Sequence, residues 1–354
     1  MTAPLSRRTF LGTSAALAAA AATQQDAEAA TKRWAAKPPA GFRRLSLPGK
    51  VVQVSKKGCL QSNGAYPTQA AAKQMLETAM MKLTGKKNLV EAFKTIIHPN
   101  DIVAIKPNGI AGRKTMKMAT PKELIVEVVK AVMAVGVPAA NITIFEQYRD
   151  FLFATRIITN KGTLAPAPEL PSGVKMAVHL NKDAVMDSIN VGAIATKYVR
   201  AFTDATAVIN LGQVKDHSIC GYTGAMKNIT HGCNINPHAF HQHNASPQIA
   251  HMYAQEVVKS RVALHIIDAF QVIYDEGPID MNPLRRVPFE ALFVATDPVA
   301  VDMVGWAIVE KLRKKNGLPT LKAAGREPSY LRVAAKLGLG IASGKKISLK
   351  KYTI

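Results

Sequence analysis

The sequence predicts an α/β fold with a mostly parallel sheet flanked by helices, and three observations support this prediction. Short apolar runs alternate along the chain with longer amphipathic segments, a pattern typical of strands that alternate with helices. The chain has 354 residues, of which 48% are hydrophobic, so it can bury a large core. No apolar run is long enough for a membrane-spanning helix, so none is expected.

Five apolar runs and two amphipathic segments define the main predicted elements. The first predicted helix, residues 121–135, begins with a proline and is followed by Gly136, which is the usual asymmetry of helix ends. The second, residues 298–315, also begins with a proline, and Gly317 follows it. The predicted strands are residues 102–105, 142–145, 207–211, 262–267 and 291–295.

Each predicted strand is followed directly by polar residues of the kinds that bind ligands or transfer protons. In a parallel sheet the carboxyl ends of the strands lie along one edge, where open α/β folds bind their ligands. We therefore expect a ligand crevice at this edge. The residues that the five strands are expected to bring to it are Lys106, Asn108, Glu146, Lys215, His217, Asp268 and Asp297.

The first thirty residues resemble a twin-arginine export signal. Arg7 and Arg8 precede a weakly apolar, alanine-rich stretch, and residues 27–29 offer a small-residue cleavage site. Such a signal implies a periplasmic or other extracytoplasmic protein that the twin-arginine export machinery carries already folded, often with a cofactor inserted beforehand. The predicted organisation is a signal over residues 1–30, a basic linker over 31–50, an α/β domain over 51–342 and a basic C-terminal strand or tail over 343–354.

The net charge of +22 is concentrated at the two ends of the chain. Nine basic and no acidic residues lie between Glu28 and Glu77, and six basic and no acidic residues follow Glu327. A surface of this kind favours contact with the anionic polymers or lipids of a cell envelope. Aromatic residues make up only 6% of the chain and do not alternate with the lysines, so specific nucleic-acid binding is not expected.

Histidines and cysteines cluster in one segment of the predicted domain. Six of the nine histidines and two of the three cysteines lie between residues 217 and 251. Imidazole and thiolate ligands suit zinc, iron or copper, so a bound transition metal is one hypothesis, and a ligand-free surface loop is the other. Three cysteines cannot build a disulfide framework, and in an exported protein we expect them to be buried or ligated. The candidate metal ligands are His231, Cys233, His238, His241 and His243.

Lys215, His217 and Lys227 form a second candidate group. Two ammonium groups beside an imidazole can hold a carboxylate or phosphate and move a proton. A helix predicted over residues 222–229 would point free backbone N–H groups at the same anion. Each lysine taken alone is equally compatible with a solvated surface.

Three aspartates are candidate carboxylates. Asp297 is explained first as the N-cap of the helix that begins at Pro298. Asp302 has apolar neighbours, so it needs a cationic partner or its pKa must rise. These two residues are about 140° out of phase on a regular helix and should not ligate the same ion. Asp268, at a predicted strand end, is the carboxylate most readily assigned to a metal or a substrate.

A series of short motifs follows one another along the predicted domain. They are residues 103–108, 209–211, 215–217, 223–228, 276–278, 297–302, 330–331 and 338–340, together with Asp268. In this order they resemble the family catalogued as domain of unknown function 362. The resemblance covers residues 50–342 and implies an α/β fold with site residues inside these motifs. Some members of the family carry an iron–sulfur module, but the C-x2-C-x2-C-x3-C run that such a cluster needs is absent from this sequence, so no iron–sulfur cluster is expected.

These observations lead to one preferred hypothesis and one alternative. We expect an exported enzyme that acts on a small anionic substrate, with a metal (zinc or iron) or another cofactor loaded before export. In this hypothesis the lysines hold the anion, His217 is the general acid–base, and the aspartates position a metal or a proton. The alternative is a non-catalytic metal- or ligand-binding protein of the cell envelope. The candidate catalytic residues are Lys215, His217, Lys227, Asp268 and Asp302. The candidate cofactor-binding residues are Lys106, Asn108, Asn228 and Asp297.

Overall fold

A computed structural model of the protein describes residues 33–110, 117–179 and 187–354. The predicted export signal lies outside the described residues. The model contains a nine-stranded, mostly parallel sheet with helices packed on it, and this architecture confirms the predicted fold class. Among the described residues, no helix is both long enough and apolar enough to cross a membrane.

The strands and helices of the described residues are numbered in chain order. The strands are β1 (Lys50–Ser55), β2 (Val103–Lys106), β3 (Ile142–Glu146), β4 (Ile158–Asn160), β5 (Ala165–Pro166), β6 (Lys175–Val178), β7 (Ile189–Val191), β8 (Ile194–Thr196), β9 (Ala207–His217), β10 (Gly221–Thr223), β11 (Val262–Ile273), β12 (Arg286–Ala295) and β13 (Ser348–Thr353). The α-helices are α1 (Gln69–Thr84), α2 (Leu89–Lys94), α3 (Lys122–Val135), α4 (Arg149–Ala154), α5 (Arg200–Thr203), α6 (Ala225–Cys233), α7 (Gln248–Ala254), α8 (Glu256–Lys259), α9 (Pro298–Lys315) and α10 (Tyr330–Lys336). Short 3-10 helices span Ala139–Asn141, Pro237–Ala245, Pro283–Arg285 and Gly344–Lys346.

The main sheet has the strand order β13-β1-β12-β11-β9-β2-β3-β6, and β10 pairs with β9 outside this path. Strands β11, β9, β2, β3 and β6 run parallel to one another, whereas β12 is antiparallel to both β1 and β11. The carboxyl ends of β2, β3, β9 and β11 therefore meet at one edge. The fifth predicted strand, β12, ends at the opposite edge, so the expectation that Asp297 joins the other strand ends is wrong.

Strands β9 and β11 continue well past the apolar runs that predict them. The sequence predicts their ends at Leu211 and Ile267, but β9 runs for 11 residues to His217 and β11 for 12 residues to Ile273. The polar residues stay extended because β10 pairs with the end of β9, with Lys215 opposite Thr223. Lys215, His217 and Asp268 are therefore strand residues and not residues of the loops that follow.

The core lies on both faces of the sheet. Ile209 and Leu211 on β9 pack in the apolar cluster that contains the buried faces of α1, α2 and α3. Val208, their neighbour on the same strand, packs in a second cluster with residues of α6, α7 and α10. Because successive strand residues point to opposite faces, the sheet is covered by helices on both sides.

The two predicted helices are present with nearly the predicted bounds. Helix α3 ends at Gly136, whose φ of 113° suits glycine, and α9 begins at Pro298 with Asp297 as its N-cap. The helix predicted over residues 222–229 begins later, at Ala225, because residues 221–223 pair with β9 as β10.

The basic segments at the two ends of the described chain contact the domain. Arg44 donates to both carboxylate oxygens of Asp101, at 2.9 and 2.6 Å, and Leu45 donates its backbone N–H to Thr95. Segment 33–49, within the predicted linker, thus packs along the domain. At the other end, β13 pairs in parallel with β1 and forms the edge strand of the sheet.

Candidate functional site

A small space of about 40 Å³, here called the cleft, lies at the carboxyl ends of β2, β3 and β9, beside α6. Four elements meet there because β2 lies between β3 and β9 in the sheet and the β9–β10 hairpin leads directly into α6. Its polar lining comes from Lys106, Asn108, Glu146, Gln147, His217, Thr223, Lys227, Asn228 and His231.

A larger cavity of about 730 Å³ lies beside β3 and β6 but has a different character. Its walls are mostly apolar, and its charged side chains are Arg149, Lys175, Arg200 and Asp204, of which the last two lie 3.7 Å from each other. It contains one lysine and one histidine, whereas the cleft is lined by two lysines and two histidines.

The first lysine of the cleft, Lys106, forms a buried ion pair. Its Nζ lies 2.9 Å from Glu146 Oε1 and also donates to the carbonyl of Pro107 at 2.7 Å. The carboxylate of Glu146 accepts the backbone N–H groups of Gly109 and Gln147 at 2.7 and 2.8 Å. The charge of Lys106 is therefore balanced within the protein.

Two asparagines connect the strands that meet at the cleft. Asn108 Nδ2 donates to Asn228 Oδ1 at 3.2 Å, and Asn228 Nδ2 donates to Asn210 Oδ1 at 2.7 Å and to the carbonyl of Lys106 at 3.2 Å. These bonds tie β2 and β9 to α6. They fix the position of α6 and of the residues that it carries.

Lys215 and Asp268 lie behind the cleft and do not line it. Lys215 Nζ donates to Asn108 Oδ1 at 2.8 Å and to the carbonyl of Met118 at 3.1 Å. Asp268 accepts a hydrogen bond from Gln213 at 2.8 Å. Burial lowers the pKa of Lys215 to about 7, against the attraction of Asp268, and burial raises the pKa of Asp268 to about 7.

The third lysine, Lys227, lies among histidines. Its Nζ is 3.3 Å from Nε2 of His241, and in the described part of the chain it forms no ion pair with an aspartate or glutamate. The ring of His241 stacks with that of His217 at 5.9 Å and meets that of His231 edge-on at 4.7 Å between centroids. The sequence groups Lys227 with His217, and the structure brings them to one cleft.

The electrostatics of this group follow from burial and from the charge of Lys227. Burial lowers the pKa of Lys227 itself. Burial, and to a smaller extent repulsion from Lys227, holds the pKa of His217 and His231 well below its usual range. The same two causes lower the pKa of His241 to about 4. The three imidazoles are therefore neutral at neutral pH.

Hydrogen bonds identify which nitrogen of two rings carries hydrogen. His217 Nδ1 accepts the backbone N–H groups of Ile219 and Cys220 at 3.1 and 3.3 Å, so the neutral ring carries hydrogen on Nε2. His241 Nδ1 donates to the carbonyl of Pro237 at 3.0 Å, so its Nε2 is an acceptor. His217 thus presents a donor and His241 an acceptor.

Two donors at the cleft remain available to a ligand. Within residues 33–110, 117–179 and 187–354, neither His217 Nε2 nor the hydroxyl of Thr223 has a hydrogen-bond acceptor. Thr223 lines the cleft next to His217 and Lys227. Together these residues can bind a small oxyanion.

Of the five candidate metal ligands, the four whose side chains the structure describes do not form a metal site. Over the residues that the structure describes, no group of three or more His, Cys, Asp or Glu side chains could hold a metal ion. His238 is exposed, Cys233 is buried in the second apolar cluster, where burial raises the pKa of its thiol, and the side chain of His243 lies outside the described residues. The ammonium of Lys227 beside His241 also repels a cation, so these residues do not fit a transition metal.

Asp302 has an unexpected partner. From α9, its carboxylate accepts the backbone N–H groups of Ala225 and Met226 at 2.5 and 2.9 Å. It thus caps α6 and occupies two of the N–H groups that were expected to attract a substrate anion. The predicted rise in its pKa is present, because burial raises the pKa of Asp302 to about 7 although the two N–H donors lower it.

Asp297 has a structural role at the opposite edge of the sheet. It accepts the N–H of Ala300 at 2.8 Å as the N-cap of α9, and it also accepts those of Gly49 and Ile341. Because β12 runs antiparallel to β11, Asp297 lies at the opposite end of the strands from the cleft.

Sequence reasoning placed Glu146 in the crevice but could not predict its pairing with Lys106, which depends on the neighbouring strand. It gave no role to two other residues of the site. Asn210 stands between apolar residues of β9, where a buried amide needs partners, and that signal could have identified it. Thr223 belongs to a family motif quoted above, and only the β9–β10 pairing turns it toward the cleft.

Comparison with known proteins adds one finding. A family model with the description Domain of unknown function (DUF362) matches residues 103–307, which include all the residues of the cleft named above. No curated protein matches the chain.

Proposed function

The chain belongs to the DUF362 family, and we propose that it is an enzyme that binds and acts on a small anionic substrate in the cleft. The observation that carries this proposal is Lys227, a buried cation that lines the cleft without a carboxylate partner in the described part of the chain. Burying an uncompensated charge is costly, and a bound anion supplies the missing counter-ion.

The charge and size of the cleft support the same class of ligand. Lys106 and Lys227 line it, and Glu146 balances only Lys106, so one positive charge remains. The available space of about 40 Å³ accommodates a small molecule or one terminal group of a larger one. A carboxylate, sulfate or phosphate group has both the charge and the acceptor oxygens that the cleft requires.

Two histidines have distinct chemical roles in this proposal. His217 presents an N–H to the cleft and is kept neutral by burial, so it can stabilise negative charge that develops on a substrate oxygen or give that oxygen a proton. His241 presents an unprotonated Nε2 and can accept a proton. The proposal contains no metal step, because the described residues do not fit a metal.

The test is the binding of sulfate, a small anion that does not titrate near neutral pH. Sulfate is titrated by calorimetry into the wild-type protein and into Lys227→Met. We expect the variant to bind at least about tenfold more weakly, which corresponds to about 1.4 kcal/mol. The matched control is Lys122→Met, which removes a surface lysine that pairs with Glu169. Equal affinity in wild type and Lys227→Met, with both proteins folded, contradicts the proposal.

We further propose that the protein works outside the cytoplasm. Residues 1–30 support this proposal, because their paired arginines, mild apolar stretch and small-residue site are typical of a signal that exports folded proteins.

We also infer that the basic surface holds the protein against an anionic envelope. The exposed side chains of Lys345, Lys346, Lys350 and Lys351 lie on and beside the edge strand β13. A row of like charges along a sheet edge prevents pairing with other strands and attracts polyanions.

A further inference from the structure

Lys227 differs from the other two buried lysines in the atom that faces its nitrogen. Lys106 Nζ lies 2.9 Å from a carboxylate oxygen, and Lys215 Nζ lies 2.8 Å from an amide oxygen. Both also donate to a backbone carbonyl. The partner of Lys227 is instead the imidazole nitrogen Nε2 of His241, at 3.3 Å.

This difference decides which lysine can become an amine. The ion pair with Glu146 stabilises the ammonium form of Lys106, and Lys215 does not line the cleft. His241 donates through Nδ1 to Pro237, so the lone pair on its Nε2 can take a proton from Lys227. Burial lowers the pKa of Lys227, so its amine form is easier to reach, and His241, whose own pKa is about 4, passes the proton on rather than keeping it. Among the buried lysines of the described residues, Lys227 is the one that lines the cleft without a carboxylate partner.

We propose that Lys227 is a catalytic residue that forms an imine with a small substrate bearing an acid group next to an aldehyde or ketone, as in a 2-oxo acid. The small volume of the cleft requires the two groups to be close together. This inference rests on the proposed function, because the acid group occupies the same anion site. It adds the substrate class and a covalent step.

The step balances in atoms and charge. Lys227 passes one proton to His241, and the freed lone pair of Nζ forms a C–N bond while the carbonyl π electrons move to oxygen. That oxygen receives two of the three ammonium protons, the first through His241, and leaves as water when the C–O bond breaks. One proton stays on nitrogen, so the product is a protonated imine with the charge of the original ammonium.

The surroundings of Lys227 fit this product. The protonated imine keeps a positive charge in the cleft, so the attraction for the acid group is not lost during the reaction. His217 Nε2 and the hydroxyl of Thr223 supply donors for the acid oxygens, since neither has an acceptor in the described part of the chain. Electrons drawn toward the iminium nitrogen weaken bonds at the adjacent carbon, which is the usual use of such a lysine.

The experiment traps the imine with glyoxylate, the smallest 2-oxo acid. The full-length protein is incubated briefly with a limiting amount of glyoxylate and then treated with borohydride, which reduces an imine to a stable carboxymethyl-lysine. Peptide mass spectrometry locates the label. Lys122, a surface lysine, is the internal reference, and Lys227→Arg and Lys122→Arg are the variants. Sulfate binding is measured on each protein in parallel.

We expect Lys227 to carry at least about tenfold more label than Lys122, a preference that corresponds to about 1.4 kcal/mol. Lys227→Arg should lose this label yet still bind sulfate, and Lys122→Arg should keep both properties. Equal labelling of Lys227 and Lys122 in a protein that binds sulfate overturns the imine and leaves the anion site intact. If the folded protein neither binds sulfate nor labels preferentially at Lys227, both the proposed function and this inference are wrong.

Discussion

The carboxylate of Asp302 accepts the backbone N–H of Met226 at 2.9 Å, across 76 residues of sequence. This bond holds the start of α6, the helix that presents Lys227 and Asn228 to the cleft, against α9. The same carboxylate accepts the N–H of Ala225. A buried acid thus takes the place of the usual N-cap side chain, because residue 224 is a glycine.

Asp302→Asn tests this connection. The substituted amide keeps one acceptor oxygen but turns an NH₂ group toward a backbone N–H, so we expect a loss of about 1–3 kcal/mol in the free energy of unfolding. Sulfate binding should weaken as α6 shifts. The measurement is urea denaturation with Asp204→Asn as control, since Asp204 is exposed at the end of α5 and its loss should cost less than about 0.5 kcal/mol. Equal losses in the two variants would show that α6 does not depend on Asp302.

His265 should make the protein less stable as the pH falls. The ring is buried between Asn210 and Tyr253, and burial lowers its pKa to about 3. Between about pH 6.5 and 3, His265 binds a proton in the unfolded chain but not in the folded chain. The folded state therefore loses about 1.4 kcal/mol of stability per pH unit through this residue.

His265→Gln isolates that contribution. Between about pH 6 and 4, the free energy of unfolding of the wild type should fall more steeply than that of the variant, by about 1.4 kcal/mol per pH unit. His251→Gln, at an exposed position on α7, should keep the wild-type slope. If the free energy of unfolding fell equally steeply with pH in wild type and His265→Gln, His265 would not be the source of the pH dependence.

Gly305 on α9 leaves room for the ring of Tyr222. A Cβ at this position would lie 2.6 Å from Cζ of that buried ring. We expect Gly305→Ala to destabilise the protein, because overpacking costs about 1–3 kcal/mol and outweighs the gain of up to about 1 kcal/mol in helix propensity. Gly344→Ala is the control, since a Cβ there meets no atom within 4 Å.

The hydroxyl of Tyr222 provides a second test of the same contact. It is buried and has no hydrogen-bond partner in the described residues, so Tyr222→Phe should not lower the free energy of unfolding. In combination with Gly305→Ala it should recover part of the lost stability. A strongly destabilised Tyr222→Phe would mean that the hydroxyl has a partner after all.

Sulfate affinity should rise as the pH falls through the alkaline range toward neutrality. Burial lowers the pKa of Lys227, and a bound anion favours its ammonium form, so the complex holds more protons than the free protein. Calorimetric titrations at several pH values measure this linkage. Lys227→Arg should bind sulfate with little pH dependence in this range, because guanidinium remains charged. A wild-type affinity that does not change with pH would show that Lys227 does not supply the charge that binds sulfate.

The paired arginines of the first thirty residues should be needed for export. Replacing both Arg7 and Arg8 by lysine keeps the charge but removes the pair that defines a twin-arginine signal. We expect the variant to accumulate uncleaved in the cytoplasm, as shown by fractionation and immunoblotting. Lys345 and Lys346 changed to arginine serve as the control and should be exported normally, because both side chains are exposed. Export of the Arg7 and Arg8 variant at the wild-type level would rule out this route.

Local patterns account for the parts of the fold that the sequence predicts. The alternation of apolar runs with amphipathic segments, and the proline and glycine at the ends of α3 and α9, arise from burial and capping within a few residues. The end of a short apolar run likewise assigns Lys106 and Asn108 to the end of a strand. The polar continuation of β9 could not be predicted from the sequence, because β10 supplies the backbone partners that keep Lys215 and His217 extended.

By itself, the amino-acid sequence determined the α/β class, the family, and the set of lysines, histidines and aspartates from which a site could be built. Only the tertiary structure decided which of them share the cleft. The antiparallel direction of β12 removes Asp297, the backbone of α6 occupies Asp302, and oxygen acceptors hold Lys215 behind the cleft. Lys227 lines the cleft and has no carboxylate partner among the described residues. The physical reason is that periodicity and capping are local, whereas strand direction and the partner of a buried charge depend on residues far apart in sequence.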